Sequence, residues 1–200
     1  MHFFVNLCSI YIDEVGEIKG IEFSEIASAY NEYLDDLYAY ALHMRFDEQT
    51  VMDAIHDVFY KLCTHYSSLN EINNLKFFLF RSLRNRLIDI KRVNRENTIS
   101  LHAPDEPQEM LPFQLYVTIE DELIMKEDAE EISQKIENVL GRLTNRQREI
   151  IYLRYIQEQS YEEIAGIMQI SIESSRNLLS KTLTKLKGAL TISLLLPYIH

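Results

Sequence analysis

Between residues 74 and 95 the apolar positions Phe80, Leu83, Leu87 and Ile90 recur at spacings of three and four, which predicts a helix with one buried stripe. Similar spacing predicts helices over about 22–44 and 48–65. In the last third of the chain, three cap-like stretches mark helix starts: "TNRQ" (144–147), "SYEE" (160–163) and "SIES" (171–174). The first two have Gln or Glu three residues after the cap, the pattern of a capping box. They predict a helix at the first, a two-turn helix over about 161–168 at the second, then a turn at Gln169 and Ile170 and a longer helix to about 187. In that last helix Ile172, Leu179, Leu183 and Leu186 are expected to form the core face. Glu173, Ser174, Arg176, Asn177, Ser180 and Lys181 are left for the other side. A short helix, a tight turn and a longer polar helix make a helix-turn-helix plan, and the small Ala165 suits a close crossing. The plainer alternative is an ordinary three-helix bundle.

Composition leaves this pattern intact. Five Gly and four Pro in 200 residues interrupt few helices, and period-two alternation is scarce, so the fold class is all-α. Pro104, Pro107 and Pro112 fall together in "APDEPQEMLP", which reads as a linker. It divides the chain into an N-terminal extension (1–20), a front domain (21–97), an acidic linker (98–135), a back domain (136–190) and an apolar C-terminal tail (191–200). Packing against a domain is the default role for the extension and the tail. The tail "LTISLLLPYIH" is too short to span a bilayer, and the N-terminus lacks the basic start of a signal peptide. Cys8 and Cys63 match no metal spacing or disulfide framework. A cytoplasmic protein without membrane insertion is expected.

Charge sharpens the picture more than composition does. The net charge of −11 is distributed in blocks: −10 over 1–73, +5 over 74–100, −9 over 101–141 and +3 over 142–200. The first basic block includes "FRSLRNRLIDIKR" (80–92). At about 100° per residue, Arg81, Arg84, Lys91, Arg92 and Arg95 gather within roughly 100° of one another, while Arg86 falls on the other flank. Only Asp89 and Glu96 accompany them, too few for i,i+4 pairing, so an anionic ligand along the helix explains the face better than solvation. The polar side of the last helix likewise carries groups able to address base edges and phosphates.

Catalytic signatures are missing from the sequence. It has no phosphate-binding Gly loop, nucleophile elbow or zinc spacing. Asp53 and His56 stand at i,i+3, a spacing that carboxylate and histidine metal ligands use on bundle helices, but no second pair matches it. No enzyme, metal or cofactor is expected.

The two halves together resemble a known family. "LTNRQREIIYLRYIQEQSYEEIAGIMQIS" (143–171) is similar to region 4 of bacterial sigma factors, and "DAIHDVFYKLCTHYSSLNEINNLKFFLFRSLRNRLIDIKR" (53–92) to region 2. Their order resembles the extracytoplasmic-function (ECF) group of the sigma-70 family, which keeps only these two domains. The resemblance covers about 22–188. It implies a subunit that directs core RNA polymerase to promoter DNA and promotes melting, with core polymerase, promoter DNA and an anti-sigma factor as partners and a monomer as the free form. Asp53, Asp57, Val58, Phe59, Lys61 and Leu62 match the segment that grips polymerase. The loop Thr64–Asn74, with Tyr66, Asn70, Asn73 and Asn74, matches the stretch that captures a flipped base of the −10 element. Arg81, Arg84, Asn85, Lys91, Arg92 and Arg95 would line the melted strand and the adjoining duplex. Ser171, Glu173, Ser174, Arg176, Asn177, Ser180, Lys181 and Lys185 would face the −35 element. The acidic linker would thread through polymerase channels that otherwise hold nucleic acid, although its charge alone suits a solvated spacer equally well. This chain departs from the family pattern at His56, where Gln or Glu is common, and at Cys63, where an aromatic is. It also has Gln169 at a turn that often holds Gly, and Ser175 in place of a β-branched apolar residue. A stand-alone helix-turn-helix regulator, binding a palindrome as a dimer, is the alternative function; a helical metal-binding bundle using His56 is a third.

Overall fold

The computed structural model of the chain describes residues 23–98, 111–115 and 137–195, with the side chains of 23, 95–98 and 189–195 outside that description. The extension 1–20, most of the connector 98–135, the Arg95 side chain and the end of the C-terminal tail therefore lie outside the described residues. Two compact units emerge, one of residues 23–42 and 46–98, the other of 111–115 and 137–195 with 43–45 grouped beside them. Every regular element among the described residues is helical, as the apolar spacing predicted.

The first unit contains α1 (Phe23–His43), α2 (Glu48–His65) and α3 (Leu75–Thr98). Asp47 starts α2 by accepting the Thr50 N–H at 2.9 Å and the Thr50 hydroxyl at 2.7 Å. This satisfies a backbone donor that the first turn leaves without an intrahelical partner. The core is the predicted stripe of α3 (Leu79, Phe80, Leu83, Leu87), closed by Val51, Ala54, Ile55, Val58, Phe59 and Leu62 of α2 and by Ile26, Leu37 and Tyr40 of α1. Tyr40 and Phe80 meet with ring centroids 5.1 Å apart, and Tyr30 packs edge-on to Phe59 at the same distance. Ile90, expected to complete the stripe, is only half-buried.

The second unit contains α4 (Asn145–Ile151), α5 (Tyr161–Met168) and α6 (Ile172–Leu195). Both expected capping boxes form, Thr144 with Gln147 and Ser160 with Glu163. Ser171 Oγ accepts the Ser174 N–H at 3.0 Å at the third start. Beyond α4 the chain continues as a π-helical turn, Tyr152–Ile156, which the apolar spacing did not predict. Gln169 closes α5 in the left-handed region (φ 55°, ψ 50°), so the turn keeps its geometry without the glycine that adopts it at least cost.

Two expectations for α6 are corrected. The helix runs to Leu195, beyond the predicted end near 187. Its buried face is Ser175, Leu179 and Thr182; Ile172 is 39% exposed, and Leu183 and Leu186 are half-buried. The buried hydroxyls are satisfied locally: Ser175 donates to the Ile172 carbonyl at 2.7 Å and the Tyr161 carbonyl at 3.3 Å, and Thr182 to the Leu178 carbonyl at 2.7 Å. Once bonded to backbone, a hydroxyl is small enough to pack where helices cross closely, and Ala165 is buried in the facing helix.

A short stretch of the connector is fixed to this unit. The Phe113 N–H donates to Asn145 Oδ1 at 3.2 Å, and its carbonyl accepts from Arg148 Nη1 at 2.9 Å. The same guanidinium donates to the carbonyls of Leu140 (3.0 Å) and Gly141 (3.3 Å). Leu111 and Phe113 are buried, the latter edge-on to Tyr152 with centroids 5.6 Å apart.

Candidate nucleic-acid interface

The cations of α3 separate once the helix packs. Arg81, Lys91 and Arg92 are exposed on one side. Arg81 lies with its guanidinium carbon 5.9 Å from the Phe77 ring centroid, and Arg92 pairs with Asp89 at 3.3 Å. Arg84 is a correction to the expected row, because it is 6% exposed and flanks the apolar stripe. Asn85 is half-buried. Arg86, on the opposite flank, reaches across to α2 and binds Asp57 through Nη2 at 2.6 Å and Nε at 2.7 Å. The outlier of the charge pattern is thus a bond between helices.

That bond also bears on the expected polymerase segment. Asp53, Asp57 and Lys61 lie on the outer face of α2. Val58, Phe59 and Leu62, expected in the same segment, are core residues, at most 1% exposed. Tyr60 was missed: it is 46% exposed, and its spacing from Asp53, Asp57, Lys61 and Thr64 puts all five on one face. The spacing was there to be found, but Tyr60 carries no charge to draw attention to it. His56 shares a 3.2 Å hydrogen bond with the Tyr30 hydroxyl and stacks beside that ring. Burial holds its pKa below the ordinary histidine value, against the pull of Asp53 and Asp57. No group of three or more potential metal ligands occurs among the described residues.

Loop 64–74 lies between α2 and α3. Tyr66 meets Phe78 edge-on, centroids 5.4 Å apart, so its ring is held in place. Asn70 and Asn73 are exposed, the first in a 3-10 turn (Leu69–Glu71) capped by Ser68. Asn74 caps α3, its Oδ1 accepting the Phe77 N–H at 2.9 Å, a task that competes with reading a base.

On α6, Ser171, Glu173, Ser174, Arg176, Asn177, Ser180, Lys181 and Lys185 are all exposed, together forming the side opposite Ser175, Leu179 and Thr182. A two-turn helix, a left-handed turn and a long helix with one polar side bring together the groups that a major-groove reader needs.

Comparison with known proteins agrees with this geometry. The family model for Sigma-70 region 2 matches residues 29–96, and that for Sigma-70 region 4 matches 133–186. The chain belongs to the sigma-70 family. It is similar to the ECF RNA polymerase sigma factor SigM of Bacillus subtilis (strain 168), 26% identical over 172 residues that cover 82% of this chain and 93% of the relative. Among solved structures it resembles the sigma factor RpoE of Bartonella quintana, determined in complex with the anti-sigma factor NepR. That match has a TM-score of 0.54 and 19% identity, covering 84% of this chain and 98% of the other. This sigma factor is of the ECF type, and its function is to direct RNA polymerase to promoters.

Proposed function

We propose that this sigma factor reads its promoters with two separate surfaces, one on each unit. The observation that carries the reading is the gathering of exposed cations on one side of α3, with further cations on the exposed surface of α6, in a protein of net charge −11. Phosphate contacts from Arg81, Lys91, Arg92 and Arg95 position the −10 region, with Asn85 beside them. Tyr66, Asn70 and Asn73 capture an extruded base. Holding that base offsets an unstacking cost of a few kcal/mol, so binding energy promotes melting and this chain needs no catalytic group. Residues 21–97 carry this task together with polymerase binding, through the α2 face of Asp53, Asp57, Tyr60 and Lys61. Residues 136–190 carry −35 recognition through Arg176, Asn177, Ser180, Lys181 and Lys185, with Ser171, Glu173 and Ser174 at the helix start.

An anti-sigma factor that covers these surfaces is the regulator this reading expects, and the site of action is the cytoplasm, where polymerase works. Among the described residues no helix is long and apolar enough to cross a membrane.

Run-off transcription with and without core polymerase tests the proposal. Weak DNA binding by the free protein and specific transcripts once core is added support it; tight operator binding without core supports a stand-alone regulator instead. The double change Arg81→Ala with Arg92→Ala should lower open-complex formation across promoters. Each phosphate contact removed should also flatten the log–log salt dependence of binding by about 0.9 for duplex DNA. Unchanged melting would remove α3 from the DNA surface.

A further inference from the structure

Arg176 is the cation of the α6 face whose position the fold dictates most closely. Its Nη2 lies 3.4 Å from Glu162 Oε1, and its guanidinium carbon is 5.5 Å from the centroid of the Tyr161 ring. Both partners belong to the first turn of α5. The contact is braced from two directions. Ser175, the preceding residue of α6, donates its hydroxyl to the Tyr161 carbonyl at 3.3 Å. Arg154, from the π-helical turn, donates to the Gln159 carbonyl at 2.8 Å and places its guanidinium carbon 5.3 Å from the same Tyr161 ring. Tyr161 is thus shared by two guanidinium groups, while Glu162 is paired with Arg176.

An exposed ion pair is weak, and both side chains here are about 60% exposed. DNA can therefore displace the carboxylate, but in the free protein the pair and the ring restrict where the guanidinium points. Direction matters for arginine, whose planar fork distinguishes bases only when both donors are aligned. A long side chain released from its partners can accommodate several sequences; one held at its base addresses fewer.

We propose that Glu162 and Tyr161 are positioning residues for Arg176, and that Glu162 thereby sets how narrowly the recognition helix selects its −35 sequence. This inference rests on the assignment of α6 to the −35 element. It concerns a residue of α5 outside the α6 face itself, and it predicts a change in selectivity rather than in overall affinity.

Holoenzyme reconstituted from the full chain and core polymerase is used to select from a duplex DNA pool with a randomised −35 segment, and enrichment is read position by position. The chains compared are the unaltered protein, Glu162→Gln, Arg176→Ala and the double variant. The expected result is that Glu162→Gln lowers enrichment about two- to five-fold, the range of an exposed ion pair, at the same one or two positions that Arg176→Ala flattens. In the Arg176→Ala background it should change nothing further. If Glu162→Gln instead strengthens binding to all sequences equally, and does so with or without Arg176, the carboxylate merely repels DNA and the proposal is overturned. If Arg176→Ala leaves every position unchanged, the assignment of this face to the −35 element fails first, and the proposal with it. The Glu162 side chain is exposed, so loss of folding is not expected to confuse these outcomes.

Discussion

The helices α3 and α6 each carry a basic face, but their buried faces differ in chemistry. The α3 helix is seated by four apolar residues, Leu79, Phe80, Leu83 and Leu87, with almost no exposure, and an arginine on its far flank is tied to Asp57. The α6 helix is seated around Ser175, Leu179 and Thr182, two of which are polar and bond to backbone carbonyls. Apolar contact is strong and tolerant of rotation, whereas a hydroxyl bonded across a helix crossing demands one orientation. That contrast suits the roles proposed for them, α3 following phosphates along a strand and α6 presenting chosen side chains to base edges.

The largest expected effect comes from breaking the apolar side of this comparison. Leu83→Ala should destabilise the first unit by about 2–5 kcal/mol through lost burial and a residual cavity. Hydrogen exchange resolved by region should show α3 opening more often while α6 is unaffected. On the polar side, Ser175→Ala removes a donor from two carbonyls at little change in volume and should cost about 1 kcal/mol, felt in the second unit alone. Gln169→Gly should act in the other direction, relieving a left-handed backbone and stabilising that unit by about 0.5–1 kcal/mol in denaturant unfolding. A double-mutant cycle on Asp57 and Arg86 should return a coupling of less than about 1 kcal/mol, since both groups are more than a third exposed and screened by solvent.

The smallest effect is a pH dependence specific to the first unit. Burial lowers the His56 pKa in the folded state, so between that value and about 6.5 the unfolded chain binds more protons. Its contribution to stability is therefore complete above about pH 6.5 and is lost as pH falls through the folded-state value. His56→Gln should remove this component of the acid sensitivity, measured as the denaturation midpoint of the first unit against pH.

How much of this was legible in the sequence follows from the same contrast. Where packing is apolar, spacing alone gave helix limits within one to three residues and found the α3 stripe. Where packing is polar, spacing misled: Ile172 looked like core and is exposed, while Ser175 and Thr182 looked indifferent and are buried. Cap residues were readable because their chemistry is local, as the two capping boxes illustrate. The π-helical turn was not, since five residues following a helix carry no spacing of their own. Charge clustering found the basic face of α3. It could not tell Arg81 from Arg84, because only the packed neighbours decide that one is exposed and the other buried. Motif resemblance had the same limit in α2, grouping Val58, Phe59 and Leu62 with surface residues when their matching positions serve the core.

Phe113 has a consequence for how the chain is connected. Its backbone bonds to Asn145 and Arg148 join residues 32 and 35 positions apart, so they close a ring within the second unit. Closing a ring of that length costs about 3 kcal/mol of chain entropy, plus a constant. Burial of Leu111 and Phe113, at roughly 1.5–3 kcal/mol for a fully buried large apolar side chain, is of the size needed to offset it. The described residues on either side of the acidic run, 111–115 and 137–141, therefore belong to the same unit. Glu120, Asp121, Glu122, Glu127, Asp128, Glu130 and Glu131 thus stand in the sequence between two stretches of one unit, rather than between the two units.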